Sequence, residues 1–326
     1  MVLLASTVFL AIRPSPTTTQ TGSNSSTTSM VLVPEMPSVT VAVTVNTYLN
    51  TGALEIGTAQ GIFRSLGLNV SWVATTNALQ ALQGGQVQFA LAPPPFTADA
   101  AGGTLVAVGQ QLPNFPAAII AAPGIASLSQ LNGKTFGCTT SGSVTCMMPY
   151  MLMKSQNWTT SVSLIKPIGG QSALIAALEG GDIQAMVWDW GVALQLQQSG
   201  KANILGDIRT YVPDWYTGCI IVNRNFLTSD PNTVRLFLAG LYDTNAWILQ
   251  NPGQTEQWIQ NNYGLSADQA GVLYNTTQFS LLGTMQPGVL KSMYQETAAA
   301  YGLPPVNLNE TFTNEFLPSI SYVPSA

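Results

Sequence analysis

Histidine is missing from all 326 positions of the chain. Its absence removes imidazole acid–base chemistry, Ser-His-Asp and Cys-His nucleophilic catalysis, and every metal site that needs an imidazole ligand. Charge is scarce as well. Asp, Glu, Lys and Arg make up 8% of residues, against roughly 25% in an average soluble domain, so Ser, Thr, Asn, Gln and Gly must supply most of the polar surface. With 10 Lys plus Arg against 15 Asp plus Glu and no basic run, the chain lacks the electrostatic footprint of a nucleic-acid binder. The three cysteines show no Cys-x-x-Cys spacing, so neither zinc nor thiol redox work is indicated, and no metal or cofactor is expected. Few titrating groups leave the net charge nearly constant with pH, which suits an acidic exterior and is equally compatible with lineage bias.

A long hydrophobic run is also lacking. The apolar stretch from Met1 to Ile12 has no basic flank and falls short of the roughly 20 residues that span a bilayer. It reads as the remnant of a signal or anchor segment (residues 1–12), followed over residues 13–36 by a Ser/Thr/Pro-rich stalk, with the folded part beginning near Pro37. Asn-x-Ser/Thr sequons at Asn24, Asn69, Asn157, Asn275 and Asn309 are usable only in a translocated chain, and with the leader they favour an extracytoplasmic site at the outer face of the membrane. There, Cys138 and Cys146 can close a small loop and leave Cys219 as a buried thiol; three unpaired small hydrophobes are the alternative.

What the chain does contain is one phrase written twice. Leu82-Gln-Gly-Gly-Gln-Val-Gln-Phe-Ala-Leu91 recurs as Leu178-Glu-Gly-Gly-Asp-Ile-Gln-Ala-Met-Val187, each copy preceded by an Ala/Leu-rich amphipathic stretch. The pattern is helix, glycine stop, buried parallel strand. Such strands present their carboxyl ends to a ligand crevice, and here those ends are Pro93-Pro94-Pro95-Phe96-Thr97 and Trp188-Asp189-Trp190. A chain of this length divides into two lobes, so two such ends make a cleft.

Along the chain, Ser38 to Val45 alternates as a strand, and Thr51 or Gly52 is expected to cap a helix that buries Leu54, Thr58, Ile62 and Leu66. Leu68–Val73 is a second strand, Ala98–Gly103 a short helix, and Leu105–Val108 and Ala117–Ala122 further strands. After Leu131-Asn-Gly-Lys-Thr-Phe-Gly137, the loop Thr140-Ser-Gly-Ser143 leads into a Met-rich helix that Pro149 is expected to disrupt or delay. Val162–Lys166 and Cys219–Val222 are strands, the latter the return crossing. Asp230-Pro231 opens a helix with Asp as N-cap, and helices follow around Gln254–Asn261, Ala267–Tyr274 and Pro287–Tyr301. The expected division is residues 37–122 and 222–326 in the first lobe and 123–221 in the second.

The order of five phrases resembles the periplasmic solute-binding proteins of ABC importers, in the branch of sulfonate, taurine, nitrate and thiamine-precursor binders. They are the turn Asn46–Asn50 with its helix and Gly61-Ile-Phe; Ala78–Phe96; Leu131–Gly137; Ala173–Trp190; and Thr217–Phe226 before Asp230-Pro231. The resemblance runs from Val39 to about Ala300. It implies a two-lobed α/β fold of type II, two parallel-rich sheets joined by two hinge crossings, that captures a small solute and delivers it to a permease and its ATPase. Carried over by position, the ligand-binding residues are Tyr48, Leu49, Pro94, Phe96, Thr97, Ser141, Gly142, Ser143, Trp188, Asp189, Trp190, Thr217 and Gly218. Relatives often carry Trp-Glu-Pro where this chain has Trp188-Asp189-Trp190. No Arg stands at an expected strand end and Lys166 is the nearest cation, so a neutral, zwitterionic or heteroaromatic solute is favoured over a strong anion, within a range that includes sulfonate-like solutes.

A monomer with no enzymatic activity is expected. The family's thiamine-precursor branch contains a pyrimidine-forming enzyme, but that chemistry depends on a histidine this chain lacks. A ligand-sensing ectodomain is the other alternative.

Overall fold

The computed structural model describes residues 32–44, 47–75, 77–96, 99 and 103–318. The expected leader and most of the stalk, the sequon at Asn24, Val45 of the first strand, Thr97 and most of the expected helix at 98–103 lie outside these residues.

The alternating run forms β1 (Ser38–Val43). Helices α1 (Tyr48–Ala59) and α2 (Ile62–Ser65) follow, then β2 (Asn69–Ala74), parallel to β1 with Val41 opposite Trp72. The first helix starts earlier than the hydroxyl pattern predicts, because the Thr47 carbonyl already accepts from the N–H groups of Asn50 and Thr51. Leu54 is buried as expected, but Thr58 is exposed. Gly61, at φ 72°, ends the helical face before it reaches Ile62 and Leu66.

The next elements are α3 (Ala78–Gln83), β3 (Phe89–Ala92), β4 (Leu105–Leu112), β5 (Ala117–Ala121) and β6 (Phe136–Cys138). Then come α4 (Val144–Ser155), β7 (Ile165–Pro167), α5 (Gln171–Gly180), β8 (Ala185–Asp189), α6 (Trp190–Gln198), β9 (Asn203–Asp207) and β10 (Gly218–Asn223). Pro149 neither breaks nor delays α4, which runs straight through it from Val144. After β10 the chain is helical: α7 (Arg224–Ser229), α8 (Pro231–Gln250), α9 (Pro252–Tyr263), α10 (Ala267–Thr276), α11 (Pro287–Tyr301) and α12 (Leu308–Thr311).

Pro231 occupies the first turn of α8, yet Asp230 makes no side-chain cap. Glu35 takes that place, its carboxylate accepting from the N–H of Asn232 at 3.2 Å and of Thr233 at 2.8 Å. The Met36 N–H donates to the Thr233 hydroxyl at 3.0 Å, so the folded body is already anchored before Pro37.

Two five-stranded sheets result, with matching orders β2-β1-β3-β10-β4 and β7-β6-β8-β5-β9. In each, the fourth strand runs antiparallel to both neighbours while β1, β2 and β3, or β6, β7 and β8, pair in parallel. The expected boundary at 122/123 therefore falls one strand late, since β5 is hydrogen-bonded into the second sheet. The boundary at 221/222 also falls late, since β10 belongs to the first. Both strands are uniformly apolar and buried, and such a run carries no sign of which sheet it completes. Among the described residues, no helix is long and apolar enough to cross a membrane.

Candidate functional site

Both copies of the repeated phrase fold alike. Helices α3 and α5 stop at glycine pairs whose second members, Gly85 and Gly181, take left-handed φ values of 69° and 80°. A side chain would be strained there, which is why the phrase keeps a glycine pair. Of the strands that follow, β3 ends at Ala92 and β8 at Asp189; Pro93, next after β3, holds the position equivalent to Asp189, and both residues line one cavity of about 120 Å³. The other walls come from the end of β1 (Thr44), the start of α1 (Leu49), the crossing segments (Phe115, Thr217), the loop after β6 and Gly170 ahead of α5. The cavity thus lies at the carboxyl ends of strands from both sheets, where α/β sheets place their ligands.

Asp189 is 8% exposed and caps α6: its Oδ1 accepts from the Val192 N–H at 3.3 Å. The Oδ2 atom has no hydrogen-bond partner among the described residues. Burial pushes the carboxyl up to about 6, against backbone hydrogen bonds from Val192 and Gly191 that favour its ionised form. A Cβ at residue 191 would meet Asp189 Oδ1 at 2.9 Å, so only glycine lets the helix start this close to the carboxylate. Trp188 lines the same cavity, yet it is 4% exposed and packs in the second sheet's own cluster with Leu174, Leu178 and Ile183. Its Nε1 donates to Gln171 Oε1 at 3.3 Å.

Facing chemistry of another kind comes from the loop between β6 and α4. Cys138 and Cys146 are disulfide-bonded across it, and all seven residues they enclose line the first cavity or a second one of about 230 Å³. Inside the loop, the hydroxyls of Thr139, Ser143 and Thr145 form a closed ring with each side at 2.9 Å. Thr145 Oγ1 also accepts from the Thr139 N–H at 3.0 Å. Gly142, at φ 79°, makes the turn. The second cavity shares Thr44, Pro93, Thr140, Ser143 and Val144 with the first, so the two adjoin, and α11 contributes Met293 and Thr297 to its walls.

Of the residues expected from the sequence, Leu49, Ser143, Trp188, Asp189 and Thr217 wall the first cavity, and Pro94, Phe96, Ser141, Gly142 and again Ser143 the second. Three described residues stand outside both sets of walls. Tyr48, 1% exposed, is packed against Trp258, Tyr263 and Phe279; Trp190 is the first residue of α6 rather than a strand end; and Gly218 is drawn into β10. Lys166 is not a wall residue either, since its Nζ donates to the Asp182 carbonyl at 3.1 Å. Sequence reasoning missed Thr139, Thr145, Leu112, Phe115 and Gly170. The cysteine spacing was the one signal for the first two, because a disulfide around a Ser/Gly loop makes the whole loop a candidate wall. Among the described residues, no three His, Cys, Asp or Glu side chains gather as a metal site.

Two similar five-stranded sheets with a cleft between their strand ends define the periplasmic-binding-protein fold, and solved structures of that class superpose over most of the chain. The alkanesulfonate-binding protein SsuA from Xanthomonas axonopodis pv. citri, bound to MOPS, matches at TM-score 0.69 and 19% identity over 86% of this chain and 99% of its own. The periplasmic nitrate-binding protein NrtA from Synechocystis PCC 6803 matches at 0.68 and 9% identity, over 87% and 88%. The desulfurization enzyme DSZB matches at 0.59 and 15%, over 86% and 97%. At these identities the likeness establishes the fold. The family model described as NMT1/THI5 like matches residues 50–255, and the chain belongs to that family. No protein of curated function matches the sequence significantly.

Proposed function

We propose that the protein is an extracytoplasmic solute-binding protein that captures a small organic solute in the cleft between its two sheets and delivers it to an ABC permease and its ATPase. The observation that carries this reading is the first cavity, walled by the strand ends of both sheets and by both crossing segments. Contacts with both lobes would stabilise the closed state, which a permease recognises. In this reading the first lobe is the sheet containing β1 with the helices after β10, and the second is the sheet containing β6. The crossings are residues 113–116 and 208–217. The N-terminal segment holds a monomer at the outer face of the membrane. Removing residues 1–31 should then leave binding intact and release the protein from membranes.

An enzyme on this fold is disfavoured. The chain has no histidine, and Asp189 is the single ionisable side chain among the described residues that line either cavity. A thermal-shift screen across taurine, alkyl sulfonates, nitrate, pyrimidines, amines and flavins tests the reading, since a ligand of the folded form raises its melting temperature. Gly170→Trp supplies the control. Residue 170 lines the first cavity at φ −69°, which any side chain adopts, and a Cβ there meets nothing within 4 Å. The variant should fold and lose the shift. A screen with no shift from any solute, or a shift that Gly170→Trp leaves unchanged, overturns solute capture in this cleft.

A further inference from the structure

The cleft is unusual in its charge. Neither cavity has a Lys or Arg among its described wall residues, and the internal positions outside the described residues (45, 46, 76, 97, 98 and 100–102) are all uncharged in the sequence. Lys154, in the last turn of α4, is held by Glu296 at 2.6 Å. Arg209, beside the second crossing, is held by Asp207 at 2.6 Å. An anion in the first cavity would therefore meet no countercharge and would lie beside a carboxylate. The hydroxyl ring does not help it. Each hydroxyl of the ring has a neighbouring oxygen for its proton, Ser143 also donating to Cys146 Sγ at 3.4 Å, and Thr145 Oγ1 already accepts from the Thr139 N–H, so the lone pairs left to offer are those of Thr139 and Ser143.

The hydroxyl ring and the Asp189 carboxylate call for a donor, while the uncapped starts of α1, α4 and α5 at Thr47, Ser143 and Gly170 offer backbone N–H groups to an acceptor elsewhere on the same solute. Asp189 Oδ2 is buried without a partner, a condition natural proteins rarely leave uncompensated. The remaining walls include Leu49, Leu112, Phe115 and Val144, which suit an apolar body. The space of about 120 Å³ approaches the roughly 150 Å³ apolar cavity that takes up benzene.

We propose, building on the solute-capture reading above, that the occupant of the first cavity is a compact, largely apolar molecule bearing a protonated amine that pairs with Asp189, and that it carries no net negative charge. A charge-assisted hydrogen bond to the Asp189 carboxylate gives it a partner that its Oδ2 lacks among the described residues.

Isothermal titration with benzylamine, benzyl alcohol and benzenesulfonate, three probes that share a ring and differ in charge, tests this on the intact chain. The expected order is benzylamine over benzyl alcohol over benzenesulfonate, with at least tenfold between first and last. Asp189→Asn, which keeps a good N-cap for α6, should weaken benzylamine at least tenfold and leave benzyl alcohol unchanged. Benzenesulfonate binding as tightly as benzylamine, or benzylamine unaffected by Asp189→Asn, overturns the inference. So does a solute screen in which only anions shift the melting temperature, an outcome that leaves solute capture standing. A screen in which nothing binds removes both.

Discussion

The two copies of the repeated phrase share a frame and differ at one residue that matters. In each, a helix stops at a left-handed glycine and a buried strand runs parallel to a neighbour, β3 to β1 and β8 to β6. Pro93 comes next after the strand of the first copy and Asp189 holds the equivalent place in the second, and both reach the same cavity. Proline has neither an N–H nor a charge, so the first end can only shape the space. Among the described residues, aspartate brings the one charge in the cavity walls. In the proposed reading a duplicated scaffold thus divides labour, one strand end setting geometry and the other chemistry. The residue one step earlier diverges too, Ala92 in the first copy against Trp188 in the second, and there the difference lies in packing.

Breaking that packing difference should have the largest effect. Trp188→Ala removes an indole from the smaller core cluster of the second sheet and should lower unfolding stability by about 3–5 kcal/mol, measured by urea denaturation. The next effect separates Asp189 from Pro93 by titration. Its carboxyl is pushed up by burial from 3.8 to about 6, so the folded state holds a proton that the unfolded chain has released. Stability from this group is fully present below about pH 4 and is lost as pH rises through about 6, amounting to about 3 kcal/mol in the solute-free protein. Asp99, raised by burial to about 7, acts in the same direction. The contribution of Asp189 is therefore the difference between wild type and Asp189→Asn, whose stability curve should be flatter between pH 4 and 7. Parallel curves would show that the carboxylate is already compensated. The sign also agrees with tolerance of an acidic exterior.

Most of the frame was legible in the sequence because its signals are local. Period-two alternation gave β1, and the glycine pairs gave the ends of α3 and α5. Pro231 marked the start of α8. What could not be read was pairing across distance. Nothing in Ala117–Ala121 or Cys219–Val222 says which sheet each completes, since a uniformly apolar run fits the interior of either. Asp230 looked like the cap of α8, but Glu35, nearly 200 positions earlier, performs that role. The site followed the same rule. Asp189 and Thr217, expected at strand ends, do line the first cavity, whereas Tyr48 lines neither cavity because it packs against Trp258, Tyr263 and Phe279, far along the chain.

The cystine sharpens the comparison between the lobes, because the disulfide belongs to the second. The double variant Cys138→Ser/Cys146→Ser frees a loop whose closure constrains the unfolded chain, so stability should fall by roughly 2–3 kcal/mol. Its effect on binding should be separate from that loss. The seven enclosed residues are all cavity walls, and a loop able to sample other conformations must be ordered again on each binding event. Affinity measured well below the melting transition should therefore drop. Unchanged affinity would mean that the hydrogen-bonded hydroxyl ring holds the loop by itself.

Pro93→Ala should give the smallest effect and the cleanest test of the division of labour. Proline restricts the unfolded chain, so its replacement costs about 0.4–1 kcal/mol of stability where the backbone is undisturbed. In the cleft, Pro93 walls both cavities, and losing the ring enlarges the space beside it without changing any charge. Affinity for an amine probe should weaken by less than tenfold, while the preference for amine over sulfonate stays as in wild type, because the discriminating group is at the other strand end. If instead Pro93→Ala altered the charge preference as strongly as Asp189→Asn, shape and chemistry would not be divided between the two copies, and the first strand end would be setting the position of the carboxylate's partner rather than only the walls around it.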